Sequence, residues 1–474
     1  MGQKDVDDLG NTDESDFHNR LGTIEWEKRD TDGNLRGGAV FIVSPNPQDG
    51  DGNLKIKDND LNDADPTPGQ FKLINVLLND YTIKENSAPA GFKPDVVTMR
   101  SAEVTEENLY YVVGVQGKDD EEDFHNEPSP ALIVTGSDKG VGSEPFVTVI
   151  NTDTDEVLSH FLAYDRGYEG GIRVATGDLD CDGIDEIVTA PGRAHPPEVR
   201  VFTQQGVEME EFRFLAYDAS FTGGVHVAVG DVDGDGMPDI VTSPSLGRSD
   251  IKVFRNGYVL DQENDDAIDE ASPYLSFTAF SPDFLGGSVV RVADIGTFNN
   301  GQTVNSRELD GVVEIMVGSG PTMRATVDVY DVSGSPTIVR SFHPFGSRFR
   351  GGVSLDVKRV DDRDLIPDMI VGAGNRGRSL VQVLDGRTGQ MLTNFNAYHG
   401  NSNKAPVRVT GRDTNVDGIV DQIMTTQGPD GSSEEIRSFD ALTGGLVDRV
   451  FASDPGTVGA FFADAIQRAD YVLL

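Results

Sequence analysis

The chain carries a single cysteine, Cys181, in 474 residues, which excludes an intramolecular disulfide framework and any cysteine-rich zinc cluster. Positive charge is also scarce, with 39 Lys and Arg against 80 Asp and Glu and a formal net charge of -41. Nucleic acid and anionic membrane surfaces both need a basic footprint, so neither is an expected partner. No apolar run approaches the length of a membrane span, and the opening MGQKDVDDLG lacks the apolar stretch of a signal peptide. The signatures HExxH, GxSxG, P-loop and Rossmann fingerprint are missing too, and the seven histidines are scattered. No spacing assembles a nucleophile, a base and an orienting group.

What the chain has in abundance is acid at fixed spacing. GDLDCDGIDEIVT from Gly177 returns as GDVDGDGMPDIVT from Gly230 and as GRDTNVDGIVDQIMT from Gly411. Calcium needs six to eight oxygen ligands on a flexible turn, and alternate residues of a tight loop point toward one centre. Positions 1, 3, 5 and 9 are Asp178, Asp180, Asp182 and Glu186 in the first copy, and Asp231, Asp233, Asp235 and Asp239 in the second. In the third they are Asp413, Asn415, Asp417 and Asp421. Position 7 offers a backbone carbonyl, from Ile184, Met237 and Ile419, and Gly183, Gly236 and Gly418 at position 6 permit the bend. Position 12 holds Thr189, Thr242 and Met424 where an EF-hand has a bidentate Glu, so the loops are EF-hand-like turns between strands. Two further copies are degenerate. One has Asp362, Asp364 and Asp368 with Val360 at position 1 and Leu365 in place of Gly; in the other an insertion separates Asp294 from Asp310, Gly311 and Glu314.

A second landmark sets the period. HFLAYD, RFLAYD, SFTAFS, SFHPFG, NFNAYH and VFASDP place aromatics at Phe161, Phe214, Phe277, Phe342, Phe395 and Phe451, with spacings of 53, 63, 65, 53 and 56 residues. Aromatic-x-Gly-Gly turns at Gly170-Gly171, Gly223-Gly224, Gly286-Gly287 and Gly351-Gly352 open alternating strands. Each unit therefore reads as four short antiparallel strands with no helical periodicity, the pattern of a propeller blade that buries its faces only in a closed ring. Six landmarks predict six blades, with seven as the alternative, and VGAFFADA near the C-terminus is expected to supply the missing strand of the first blade, about 458 to 465 pairing within 131 to 161. These phrases resemble the FG-GAP/VCBS repeats of bacterial surface proteins over about 131 to 474. That resemblance implies a β-propeller with Ca2+ in the loops joining two strands of a blade.

Residues 22 to 128 have a different texture. IEWEKRDTDG, YTIKENSAPAGF and DFHNEP resemble the SpaA-like (Cna-B type) pilin domains, prealbumin-like or Ig-like β-sandwiches in which a Lys on the first strand is joined to an Asn on the last beside a Glu. The resemblance places the lysine at Lys28, the glutamate at Glu85 and the asparagine at Asn126. Alternation groups Ile24, Trp26 and Lys28, then Tyr81, Ile83 and Glu85, then Phe124 and Asn126, so all three polar groups point inward. A buried lysine loses proton affinity, and its neutral amine is then able to attack the Asn126 carboxamide while Glu85 polarises the amide oxygen and relays protons. The other reading is a buried Lys-Glu ion pair. DFHN also occurs at Asp16 to Asn19, which marks residues 1–21 as the closing strand or linker of a preceding domain and the chain as part of a longer one.

The expected protein is all-β, non-catalytic and extracellular or on a cell surface, binding calcium and serving adhesion, matrix assembly or ligand display toward a surface or matrix protein or a glycan. The alternatives are a propeller lectin or a propeller polysaccharide lyase or glycosidase. A lectin would expose one aromatic per blade, and Tyr164, Tyr217 and Tyr398 recur that way; an enzyme would gather carboxylates and aromatics at one channel mouth. The first role expected for the tyrosines is packing between blades.

Overall fold

The structure is a computed structural model and describes residues 20–451 and 461–466 apart from short intervals, of which the longest are 258–267, 399–404 and 429–434. The DFHN at 16–19, Cys181, Gly183, Asp310, Gly311, Asn415 and Asp417 lie outside the described residues. The chain forms two compact units, one chiefly of residues 1–129 and the other chiefly of 130–467. Among the described residues the only helix is a three-residue 3-10 turn, Glu210–Phe212, and no helix is long and apolar enough to cross a membrane.

The first unit has two four-stranded sheets. Gly22–Asp30 is central in one, antiparallel to Gln70–Val76 on one side and parallel to Tyr110–Val112 and then Phe124–Asn126 on the other. The second sheet runs Leu54–Lys57, Val40–Ser44, Asn79–Ser87, Met99–Val104. Their inner faces share one apolar core, where Trp26 stacks on Phe71 at 5.2 Å and Phe41 meets both Phe71 and Phe124 edge-on at 4.8 and 4.7 Å. The long stretch after Gly91 is used rather than looped out, since it adds Met99–Val104 to one sheet and Tyr110–Val112 to the other before the last strand arrives.

The second unit is a β-propeller built from the repeat. Six four-stranded antiparallel sheets follow one another, numbered I to VI in chain order. Sheet II (Ile172–Gly177, Glu186–Pro191, Glu198–Phe202, Phe214–Leu215) sets the pattern that III to VI repeat. The first strands of II to VI lie side by side in order, and Phe461–Ile466 stands between the last and the first of them. That C-terminal strand pairs with Leu132–Ser137, Phe461 opposite Ser137 and Ile466 opposite Leu132, so sheet I is made from both ends of the unit. The expected closure by 458 to 465 is found at 461–466, starting three residues later and ending one residue later.

Burial explains why the strands read as they do. The second strand of each sheet has a neighbouring sheet on either face, so Glu186–Pro191, Asp239–Pro244, Glu314–Ser319 and Asp368–Ala373 are buried throughout and show no alternation. The landmark phenylalanines all fall on fourth strands, and three of them cover the next sheet: Phe161 lies 5.0 Å from Phe202, Phe214 4.5 Å from Phe254 and Phe277 4.8 Å from Tyr330. The Gly-Gly turns answer two demands. The second glycine has positive φ, 80° at Gly171 and 81° at Gly352, while a Cβ on the first would sit 2.1 Å from a backbone oxygen at Gly170 and at Gly351.

Candidate functional site

The first unit buries three polar side chains together. Lys28 and Asn126 are fully inaccessible and Glu85 is 3% exposed. Lys28 Nζ donates to Asn126 Oδ1 and lies 3.4 Å from Glu85 Oε1, and Asn126 Nδ2 donates to that same oxygen at 2.9 Å. The strands enforce the meeting, because Gly22–Asp30 and Phe124–Asn126 are parallel neighbours and Asn79–Ser87 faces them across the core. Burial, opposed by Glu85 and Asp95, pushes the Lys28 amine down to about 8. The arrangement suits attack of Nζ on the Asn126 amide carbon, in which Nζ sheds protons, the amide nitrogen takes one up and ammonia leaves. Glu85 Oε1 faces both nitrogens, the position of a proton carrier; the expectation that it polarises the amide oxygen is not met, because Oδ1 faces Lys28 instead.

Sequence reasoning missed Asp95, which lies in a loop without periodicity. Its backbone N–H donates to Glu85 Oε2 at 2.9 Å, and its carboxylate accepts the His125 N–H at 2.9 Å and an Arg100 N–H at 3.1 Å. Asp95 thereby ties the strand carrying Asn126 to the loop beside Glu85. Asp119, Asp123 and His125 form another unforeseen group, but Arg29 already pairs with Asp123 at 2.9 Å and His125 with Asp119 at 2.7 Å.

In the second unit the acidic loops leave the far ends of the first strands. Carboxylate oxygens of Asp178, Asp180 and Glu186 lie within 4.8 Å of one another, as do those of Asp231, Asp233 and Asp239. Positions 1, 3 and 9 thus converge in both copies, whereas position 5 does not join them. Asp182 accepts the Ile184 N–H at 2.8 Å and Asp235 the Met237 N–H at 2.9 Å, each closing a local turn. Position 6 behaves as expected, since the Gly236 and Gly418 N–H groups each donate to the position-1 carboxylate, Asp231 and Asp413, at 2.8 Å. Burial, with repulsion from Asp233 and Asp231, pushes Asp239 up to about 7. Three converging carboxylates of this kind fit a hard divalent cation. The Arg255 guanidinium pairs with Asp233 and lies 4.4 Å from the Tyr274 ring centre, partly answering the charge in the second loop.

Position 9 also has a structural role the sequence pattern hid. Its carboxylate accepts the backbone N–H of position 2 in every copy: Leu179 to Glu186, Val232 to Asp239, Ile295 to Glu314, Val360 to Asp368 and Thr414 to Asp421. Val360 therefore stands at position 2, buried like Leu179 and Val232, which corrects its assignment to position 1. That loop is one residue longer than the three regular copies, with Arg359 at position 1. Its acids are met by arginines, Arg363 on Asp361 and Arg387 on Asp364, each at 2.8 Å. The degenerate copies thus keep the acid that accepts the position-2 N–H.

The three repeated tyrosines are covered, not displayed. Tyr164, Tyr217 and Tyr398 donate to the carbonyls of Glu198, Asp250 and Thr425 in the following sheet at 2.8, 2.7 and 2.8 Å. Arg200, Lys252 and Arg437 lie over their rings at 4.9, 5.0 and 4.5 Å.

Sheet order defines a β-propeller, and within it residues 178–242 match the FG-GAP-like repeat family. Among solved structures the chain is similar to AztD of Citrobacter koseri, at 12% identity over 73% of this chain and 100% of that chain with a TM-score of 0.33. It is also similar to the Cps50 (Swd1) β-propeller domain of Myceliophteria thermophila, at 10% identity over 69% and 90% with a TM-score of 0.36. A third is rhamnogalacturonan lyase YesW, at 13% identity over 94% and 73% with a TM-score of 0.36. No curated protein matches the chain.

Proposed function

We propose that the protein is a non-catalytic extracellular or cell-surface component for adhesion, matrix assembly or ligand display, in which a six-bladed propeller stabilised by Ca2+ is joined to a SpaA-like sandwich locked by a Lys28–Asn126 isopeptide bond. The observation that carries this reading is the buried triangle of Lys28, Glu85 and Asn126, since three polar groups of complementary reactivity are costly to place in an apolar core without a purpose. A covalent tie between the first and last strands suits a domain that transmits force outside the cell. The converging carboxylates of the first two acidic loops add a need for divalent cation, which is abundant in the same setting. The burial of Tyr164 and Tyr398 removes the exposed stacking platform that a lectin of this design would use. Intact mass of the freshly folded protein tests the bond, and calorimetric titration with calcium tests the loops. Full sequence mass together with no calcium binding would remove both supports.

A further inference from the structure

At the opposite ends of the innermost strands from the acidic loops, the propeller forms a half-open cavity of about 360 Å3, within the size range of small-molecule sites. Its charge runs against that of the chain. Among the described residues five basic side chains line it, Lys139, Arg173, Arg193, Arg291 and Arg408, against one carboxylate, Asp138, in a protein where acids outnumber bases 80 to 39. The repeat itself concentrates them: Arg173, His226 and Arg408 hold the same second position on three different innermost strands, Ile172–Gly177, Val225–Gly230 and Val407–Arg412. One register position on strands around a common axis delivers its side chains to one place.

The neighbouring acids are already committed. Asp138 pairs with Arg408 at 2.5 Å. Asp356 lies 3.5 Å from Arg291 while also accepting the Gly411 N–H at 2.8 Å, and Lys358 and Arg291 hold its carboxyl below the usual range against the effect of burial. The positive potential registers on the titratable groups inside. His226 is held well below the ordinary imidazole range by burial and then by Arg173, Arg291 and Arg408, and Arg173 is pushed down to about 10 by burial, with Arg408 and Arg193 adding to the effect.

We propose that this cavity binds a small ligand bearing an oxyanion group, a carboxylate, sulfate or phosphate, with Arg173 as the central anchor and Lys139 and Arg193 at the exposed rim. The guanidinium fork matches the paired oxygens of all three groups, and the partial enclosure strengthens each charged contact. Neither the calcium loops nor the isopeptide bond is needed for it.

The test is calorimetric titration of the full chain at low ionic strength with sodium sulfate, sodium phosphate and D-galacturonate, using galactose as the neutral comparator. At least one anion should bind saturably and galactose should not. Arg173→Gln and the double variant Lys139→Gln/Arg193→Gln should each weaken binding by about tenfold or more. Tighter binding of galacturonate would identify an acidic sugar as the ligand class, and tighter binding of sulfate or phosphate a free oxyanion. No saturable anion binding to the wild type, or binding that neither variant weakens, would overturn the proposal. If Arg173→Gln fails to fold, the double variant decides alone, because both of its replaced side chains are exposed.

Discussion

Replacing Asn126 by Ala removes the acceptor while leaving Lys28 beside Glu85, and two magnitudes follow from the geometry. The bond would close a loop between residues 98 apart, and constraining a loop of about that size is worth roughly 4–5 kcal/mol in the chain-entropy account. For a unit of about one hundred residues that corresponds to a loss on the order of 20 °C in Tm. The second magnitude concerns rate. With Lys28 pushed down to about 8, the neutral amine is about one tenth of the population at pH 7, against about one in 3000 for an ordinary lysine. Bond formation after refolding should therefore slow about tenfold for each pH unit below 8 and level off above it. Intact mass spectrometry over a refolding time course reads both, as a deficit of one ammonia and, after digestion, a branched peptide joining the two strands. Glu85→Gln should keep the fold and lose the bond. A full-length mass in wild-type protein would refute the reasoning, and a deficit that survives Asn126→Ala but vanishes in Lys28→Ala would show that the acceptor is misassigned. In Asn126→Ala the unfolded chain keeps the Lys28 proton up to about 10.5 while the folded unit releases it near about 8, so stability should rise with pH across that window.

Chelation should lower the Tm of the propeller unit, since a cation at about one hundred times its dissociation constant contributes about 2.7 kcal/mol; an unchanged melting curve in EGTA would count against structural calcium. Asp180→Ala and Asp233→Ala should each remove one site from the calcium titration. Arg255→Ala should tighten calcium binding at the second loop by about two- to fivefold, the worth of an ion pair whose guanidinium is half exposed, and weaker binding would mean that Arg255 organises the loop. Gly351→Ala places a Cβ against the Asn375 carbonyl and should cost about 1–3 kcal/mol in denaturant melts, whereas a neutral result would show that the turn yields.

Periodicity carried most of the propeller because each repeat states the same physical requirement again: a glycine where backbones touch, an aromatic where the next sheet must be covered. Lys28, Glu85 and Asn126 were legible through the resemblance of their flanking phrases to SpaA-like domains, and strand alternation then turned all three inward. Side-chain direction within the acidic loops was not legible, because Asp182 and Asp235 are the same residue type as their neighbours and only local turn geometry sends them to backbone N–H groups instead. The basic cavity was invisible for a related reason: Lys139, Arg173, Arg193, Arg291 and Arg408 span most of the propeller sequence, and ring closure alone unites them.

The pairing of Phe461–Ile466 with Leu132–Ser137 also sets an order of events. Sheets II to VI are each drawn from one continuous stretch and are free to assemble as they leave the ribosome, but sheet I waits until Phe461–Ile466 has been translated, more than three hundred residues after its partner strand. Until then Leu132–Ser137, a strand with every residue destined for burial, presents an unpaired edge. In a crowded population of nascent chains the same strand of a neighbour competes for that edge. Dilution or slow release during refolding should therefore favour monomers, and domain-swapped oligomers are the natural by-product of haste.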